Sequence, residues 1–154
     1  MAKEIERKYL VRGDSWRGLA EGSVYRQGYI ATQDKTTVCI RIVGEKSYLT
    51  IKGPSIKYSR LEFEYPIPVK DAQEILETLC ERPFIEKVRY KIEFGGLIWE
   101  IDEFDGVNKG LILAEVELND ENQQIELPNW IGQEVSDDSR YFNSNLVKHP
   151  FSQW

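Results

Sequence analysis

The sequence predicts a mainly β protein, with about eight antiparallel strands curled into a barrel or strongly bent sheet and two or three helices beside it. Three observations carry this reading. Apolar and polar residues alternate with a period of two through most of the chain. Glycine, proline and short polar clusters interrupt that alternation at spacings suited to hairpins. One stretch, residues 69–81, changes to the helical period.

The first predicted strand is "KEIERKYLV" (residues 3–11), which alternates Glu4, Glu6 and Lys8 with Ile5, Arg7 and Tyr9. "SVYRQGYIA" (23–31) and "TTVCIRIVG" (36–44) follow, with "QDK" between them as a turn. "KSYLTIKG" (46–53) comes after Gly44-Glu45, a hairpin spacing, and "SRLEFEYPI" (59–67) after that. Pro66 and Pro68 end the ladder there because proline offers no N–H to it. In "VKDAQEILETLCE" (69–81), Ala72, Ile75, Leu76 and Leu79 form one apolar stripe, and the expected helix packs that stripe on the outer face of the sheet. Strand character returns in "FIEKVRYKIEF" (84–94), "LIWEIDEF" (97–104) and "LILAEVELN" (111–119), separated by Gly95-Gly96 and by "DGVNKG". The tail reads as helical in two pieces, 130–134 and 137–147. Trp99, Phe63 and Tyr90 are expected in the core. No linker, repeat or low-complexity tract divides the chain, so residues 1–154 are expected to form a single domain.

The totals narrow the function. A chain of 154 residues can bury a core without disulfide staples. Cys39 and Cys80 lie far apart with no metal-type spacing and read as free thiols of a reducing, cytoplasmic compartment. No apolar run reaches the roughly 18 residues of a membrane span, so no membrane partner is expected. The net charge of −6 argues against a duplex nucleic-acid partner. A single histidine, His149, argues against histidine-rich metal centres, and no phosphate loop of the GxxxxGK[ST] type is present.

The chemistry lies in the parity of the charges. One face of the strands carries Glu4, Glu6 and Lys8; Arg41; Lys52; Arg60, Glu62 and Glu64; Lys87 and Arg89; Glu100 and Asp102; and Glu115 and Glu117. The other face carries Val38, Ile40, Ile42, Leu49, Ile51, Trp99, Ile101 and similar residues. Taken strand by strand, this describes a half-exposed sheet whose polar face meets water. Taken together, the acids recur as i,i+2 pairs, with one basic pair, Lys87/Arg89, at the same spacing. If the sheet closes, that face lines a barrel wide enough for a small ligand. Oxygen-only acid clusters suit Mg²⁺ or Mn²⁺, and Lys and Arg clusters suit phosphate oxygens. Both in one closed site describe a metal–polyphosphate complex.

These residues resemble the CYTH proteins, also called triphosphate tunnel metalloenzymes, along nearly the whole chain. The opening E-x-E-x-K, here Glu4, Glu6 and Lys8, is that family's signature, and "RQGYI", "YLTIKG", "EFEY", "EKVRY", "WEIDEF", "AEVEL" and "DDSRYFN" follow in the family's order. The resemblance implies a closed eight-stranded antiparallel β-barrel forming a tunnel, with a few helices packed outside, and metal-dependent hydrolysis of a small triphosphate. Inorganic tripolyphosphate, cleaved to phosphate and diphosphate, is the leading substrate. Nucleoside or thiamine triphosphate hydrolysis, an adenylate cyclase-like activity and a non-catalytic polyphosphate- or nucleotide-binding module are the alternatives. Carried over by position, Lys8, Arg41, Lys52, Lys87 and Arg89 would grip the triphosphate, and Arg140 would close one end of the tunnel. Glu4, Glu6, Glu115 and Glu117 would hold Mg²⁺ or Mn²⁺, with Glu62, Glu64, Glu100 and Asp102 as further metal ligands or orienting groups. Glu4 or Glu62 would activate the attacking water, with Lys8 essential to catalysis. One position departs from the pattern: where the family usually has R-x-R, this chain has Cys39-Ile40-Arg41. A monomer or a homodimer is compatible with such a barrel.

Overall fold

The computed structural model describes residues 3–154. Strand β1 (Lys3–Val11) is followed by β2 (Gly22–Ile30), β3 (Thr37–Val43), β4 (Lys46–Lys52) and β5 (Ser59–Pro66). Helix α1 (Val69–Leu79) leads to β6 (Ile85–Phe94), β7 (Leu97–Phe104), β8 (Ile112–Glu117), β9 (Ile131–Glu134) and helix α2 (Asn143–Lys148). Around the barrel the order is β5-β4-β3-β2-β6-β7-β8-β1, and β1 pairs back onto β5 to close it. The closing seam is antiparallel and short, made by Lys3↔Leu61, Glu4↔Arg60 and Ile5↔Ser59. Closure joins the two end strands over these three pairs only, leaving β1 beyond Ile5 without a barrel partner on that side.

Local sequence explains the hairpins. Gly95 and Gly96 both take positive φ, 61° and 77°, between the paired Phe94 and Leu97. Two central residues in that region make the tight turn whose twist matches the flanking strands. Helix α1 is amphipathic, with Ala72 and Leu76 fully buried against Ile40 and with Ile42, Leu49 and Phe84 around them; Leu79, expected on the same stripe, is instead 62% exposed in the last turn, beyond the strands the helix covers. It lies so close to β2 that a Cβ on Gly28 would stand 2.5 Å from Leu76 and 2.9 Å from Cys80. A second apolar layer covers the opposite outer wall, where Trp99 packs edge-on against Trp130 and tilted against Tyr9, with Ile101, Val116 and Trp16 buried alongside.

The tail differs from its helical expectation. Residues 131–134 form strand β9, which pairs with β1 through Tyr9↔Glu134 and Val11↔Ile131. The cause is a free edge. β5 occupies β1 only as far as Ile5, so the N–H and C=O groups beyond it need partners. Val135 N–H donates to Lys8 C=O at 2.8 Å and Arg12 N–H to Trp130 C=O at 2.9 Å. Residues 137–147 are helical only in part, as a 3-10 turn at Ser139–Tyr141 and then α2. Phe63 also differs: it is 41% exposed on the outer side of β5, whereas Trp99 is fully buried and Tyr90 half-buried beneath Trp16.

The inner face is not charged along its full length. Two residues beyond Lys8, Lys87, Asp102 and Glu115, the inward positions become Leu10, Ile85, Phe104 and Leu113. These pack against Tyr141, Leu146 and Val147 of the tail, which covers part of that end of the barrel. No helix among the described residues is long and apolar enough to cross a membrane.

Candidate active site

The barrel encloses a cavity of about 590 Å³. Period-two alternation on each strand aims one set of side chains into it, and every charged residue assigned to that parity lines it except Asp102. Three groups of contacts organise the walls.

The first is a buried ion-pair floor. Lys87 Nζ donates to Asp102 Oδ2 at 2.8 Å, and Arg89 donates from Nε to Oδ1 at 2.7 Å and from Nη2 to Oδ2 at 2.8 Å. Asp102 is 1% exposed, and both its oxygens are taken by these cations. Lys8 Nζ stands 3.4 Å from Glu115 and donates to the Tyr141 carbonyl at 3.2 Å. Lys87 also donates to Asn143 Oδ1 at 2.9 Å. Burial would raise Asp102 and Glu115, but Arg89 and Lys87 hold the first below its ordinary value, and Lys8, Arg89 and Lys87 hold the second well below. Burial lowers Lys87 to about 8, opposed chiefly by Asp102.

The second group is an acidic wall with too few counter-ions. Lys52 lies 3.4 Å from Glu4 and 3.8 Å from Glu62, and Arg60 lies 3.5 Å from Glu4 and 3.6 Å from Glu6. Burial raises Glu6 to about 8, assisted by repulsion from Glu115 and Glu4. Burial also raises Glu4, followed by its contact with Glu62, and raises Glu117, with Glu4 and Glu6 adding to the effect. Glu4 Oε2 is buried without a hydrogen-bond partner.

The third group surrounds Arg41. Its Nε donates to Gln27 Oε1 at 3.0 Å, its guanidinium lies 5.5 Å from the centre of the Tyr25 ring, and Glu64 is 3.7 Å away. Cys39 lines the same wall directly across the ladder from Tyr29, and burial raises its thiol, which disfavours a thiolate. Cys39 and Cys80 are both free thiols.

Among the residues singled out from sequence, Glu4, Glu6, Lys8, Arg41, Lys52, Glu62, Glu64, Lys87, Arg89, Glu100, Glu115 and Glu117 meet in one cavity. Asp102 sits behind that surface, bound to the cations. Arg140 is elsewhere: its side chain is exposed and forms an ion pair with Asp138 at 2.7 Å. Arg60 of the charged face also lines the cavity, as do Tyr25, Gln27 and Tyr29, which share one parity on β2. Their parity was the available signal. Asn143 reaches Lys87 only through the tertiary placement of the tail, and no local pattern marks it.

The comparisons agree with this geometry. The CYTH domain family model matches residues 2–149. An inorganic triphosphatase of Acetivibrio thermocellus is 55% identical over 154 residues, covering 100% of this chain and 99% of that protein. An inorganic triphosphatase of Nitrosomonas europaea is 35% identical over 152 residues, covering 94% and 96% of the two chains. The crystal structure of an inorganic triphosphatase superposes with a TM-score of 0.68 at 32% identity, covering 93% of this chain and 96% of that one. A putative adenylyl cyclase from Hippeastrum shares the fold, with a TM-score of 0.61 at 16% identity over 76% of this chain and 80% of that one. With a family match over nearly its full length and a charged barrel interior to accompany it, this chain belongs to the CYTH family.

Proposed function

We propose that the protein hydrolyses inorganic tripolyphosphate to orthophosphate and diphosphate inside the barrel, with Mg²⁺ or Mn²⁺. The observation that carries this reading is the ring of inward cations, Lys8, Arg41, Lys52, Arg60, Lys87 and Arg89, around one enclosed cavity that also holds an under-neutralised acidic wall. Two relatives named as inorganic triphosphatases, matched end to end, support the same substrate.

The residues fit a divalent cation. Glu4 has a buried oxygen that faces Lys52 and Arg60 at 3.4 and 3.5 Å without a hydrogen bond to either, and burial, with repulsion from Glu115 and Glu4, raises Glu6 to about 8. Among the described residues, no three acids converge closely enough to enclose an ion by themselves. That suits Mg²⁺, which takes one or two carboxylates and completes its shell with water and substrate phosphates. One or two carboxylates drawn from Glu4, Glu6, Glu62, Glu115 and Glu117 would hold it, whereas both Asp102 oxygens are hydrogen-bonded to Lys87 and Arg89. A divalent ion held there would supply neutralisation of phosphate charge and polarisation of the anhydride.

The chain's own groups do the rest. Lys8, Lys87 and Arg89 bind one part of the triphosphate, and Arg41, Lys52 and Arg60 bind another, holding the chain straight for in-line attack. Glu4, whose carboxyl burial raises above its ordinary value, takes the proton of the attacking water. The new P–O bond forms at a terminal phosphorus as the anhydride bond breaks, and its electron pair leaves on the diphosphate oxygen. The cationic walls, already paired and oriented, stabilise the charge that develops there.

The test is phosphate release from tripolyphosphate, ATP and thiamine triphosphate, each in Mg²⁺ and in Mn²⁺, with Glu4→Gln alongside. Metal-dependent release from tripolyphosphate that is lost in Glu4→Gln is expected. Tight binding with no release would make the protein a holder of triphosphates instead.

A further inference from the structure

Resting on that reading, we propose that Gln27 is a positioning residue: it fixes the Arg41 guanidinium so that its terminal amino groups face the phosphate chain. Gln27 is 1% exposed, although it lines the charged cavity. A buried amide is costly unless its donors and acceptor are used, and here both ends are used. A guanidinium can only donate, so the amide oxygen must be the atom that meets Arg41 Nε at 3.0 Å. The amide nitrogen consequently faces the other way and donates to the Tyr29 hydroxyl at 3.4 Å.

The backbone keeps this contact in register. Gln27 and Arg41 are direct partners across the β2–β3 ladder. On its other side Gln27 is paired with Ile85, whose apolar side chain offers no competing hydrogen bond. With Nε occupied and the guanidinium set against the Tyr25 ring, the terminal amino groups, of which Nη1 stands 3.7 Å from Glu64 without a hydrogen bond to it, present a planar fork, the geometry in which Arg meets phosphate best. The neighbouring inward position on β3 is Cys39, which brings no cation. The contribution of β3 to the anion site therefore depends on the aim of one side chain, and Gln27 sets that aim.

The decisive experiment is a double-mutant cycle read as binding. A non-hydrolysable imido analogue of tripolyphosphate is titrated calorimetrically, in Mg²⁺, into the wild type, Gln27→Met, Arg41→Ala and the double variant. Gln27→Asn, whose amide is one methylene too short to reach Nε, repeats the test with polarity kept. Melting temperatures are measured for every variant. The expected result is a roughly five- to tenfold weaker Kd for Gln27→Met and Gln27→Asn in the wild-type background, and no further weakening once Arg41 is alanine. Equal weakening in both backgrounds, or none in the first, overturns the inference, because Gln27 would then act on the barrel or on nothing. If the wild type neither binds the analogue nor releases phosphate from tripolyphosphate, the functional reading itself fails, and the two failures are told apart.

Discussion

Asp102 shows how much one buried carboxylate can hold. It receives three short hydrogen bonds from Lys87 and Arg89 and is 1% exposed. Removing one partner of a buried pair leaves the other charges uncompensated, at a cost of roughly 3–5 kcal/mol. Asp102→Asn is therefore expected to lower unfolding stability by about 3 kcal/mol or more in urea titrations, and to cut phosphate release by misplacing Lys87 and Arg89, two cations proposed to bind phosphate. Asp138→Asn is the contrast. The Asp138–Arg140 pair is just as short at 2.7 Å but faces water, so little change is expected. Glu6 makes a second prediction. In the folded protein it keeps its proton up to about 8, while an unfolded glutamate releases it near 4.5. Between those values the native state binds more protons, so stability falls as pH rises through that window. The melting temperature of metal-free protein should thus decline from about pH 5 to pH 8. Glu6→Gln should flatten that slope; an unchanged slope would remove Glu6 as its source.

The elements differ in how plainly the sequence announced them. Helix α1 was legible because Ala72, Ile75 and Leu76 recur at helical spacing over three turns, long enough for periodicity to speak. β9 was not, because four residues of "IGQE" fit either period, and their true partner is the outer end of β1, more than a hundred positions away in sequence. Phe63 misled for a related reason: its parity is that of the buried outer residues, but α1 covers β2 to β4 and leaves β5 bare. Parity says which face a side chain takes and not what, if anything, covers that face. The close seat of α1 carries its own prediction. Gly28→Ala would drive a methyl into Leu76 and Cys80, and overpacking of this kind costs about 1–3 kcal/mol. Thermal melting checks it, and an unshifted midpoint would mean that α1 slides outward freely.

At the scale of the molecule, the site was legible because barrel closure converts a shared parity into a shared interior. Glu4, Lys52, Lys87 and Glu115 are distant in sequence and meet for that reason alone. The apolar end of the bore was not legible. Leu10, Ile85, Phe104 and Leu113 continue the charged parity, and only the folded tail shows that they form a floor. A barrel holding this many like charges is expected to gain stability from a compensating ligand. Saturation at a hundred times Kd should stabilise it by about 2.7 kcal/mol, read as a higher melting temperature with Mg²⁺ and the imido analogue together. Neither component alone neutralises both walls, so each should give a smaller shift.

The floor also governs traffic. The tail narrows the bore at Tyr141 and its neighbours, so a phosphate chain that enters and the products that leave would share the doorway that remains. Diphosphate added from solution would meet the same doorway, and it should slow turnover by competing with the incoming substrate.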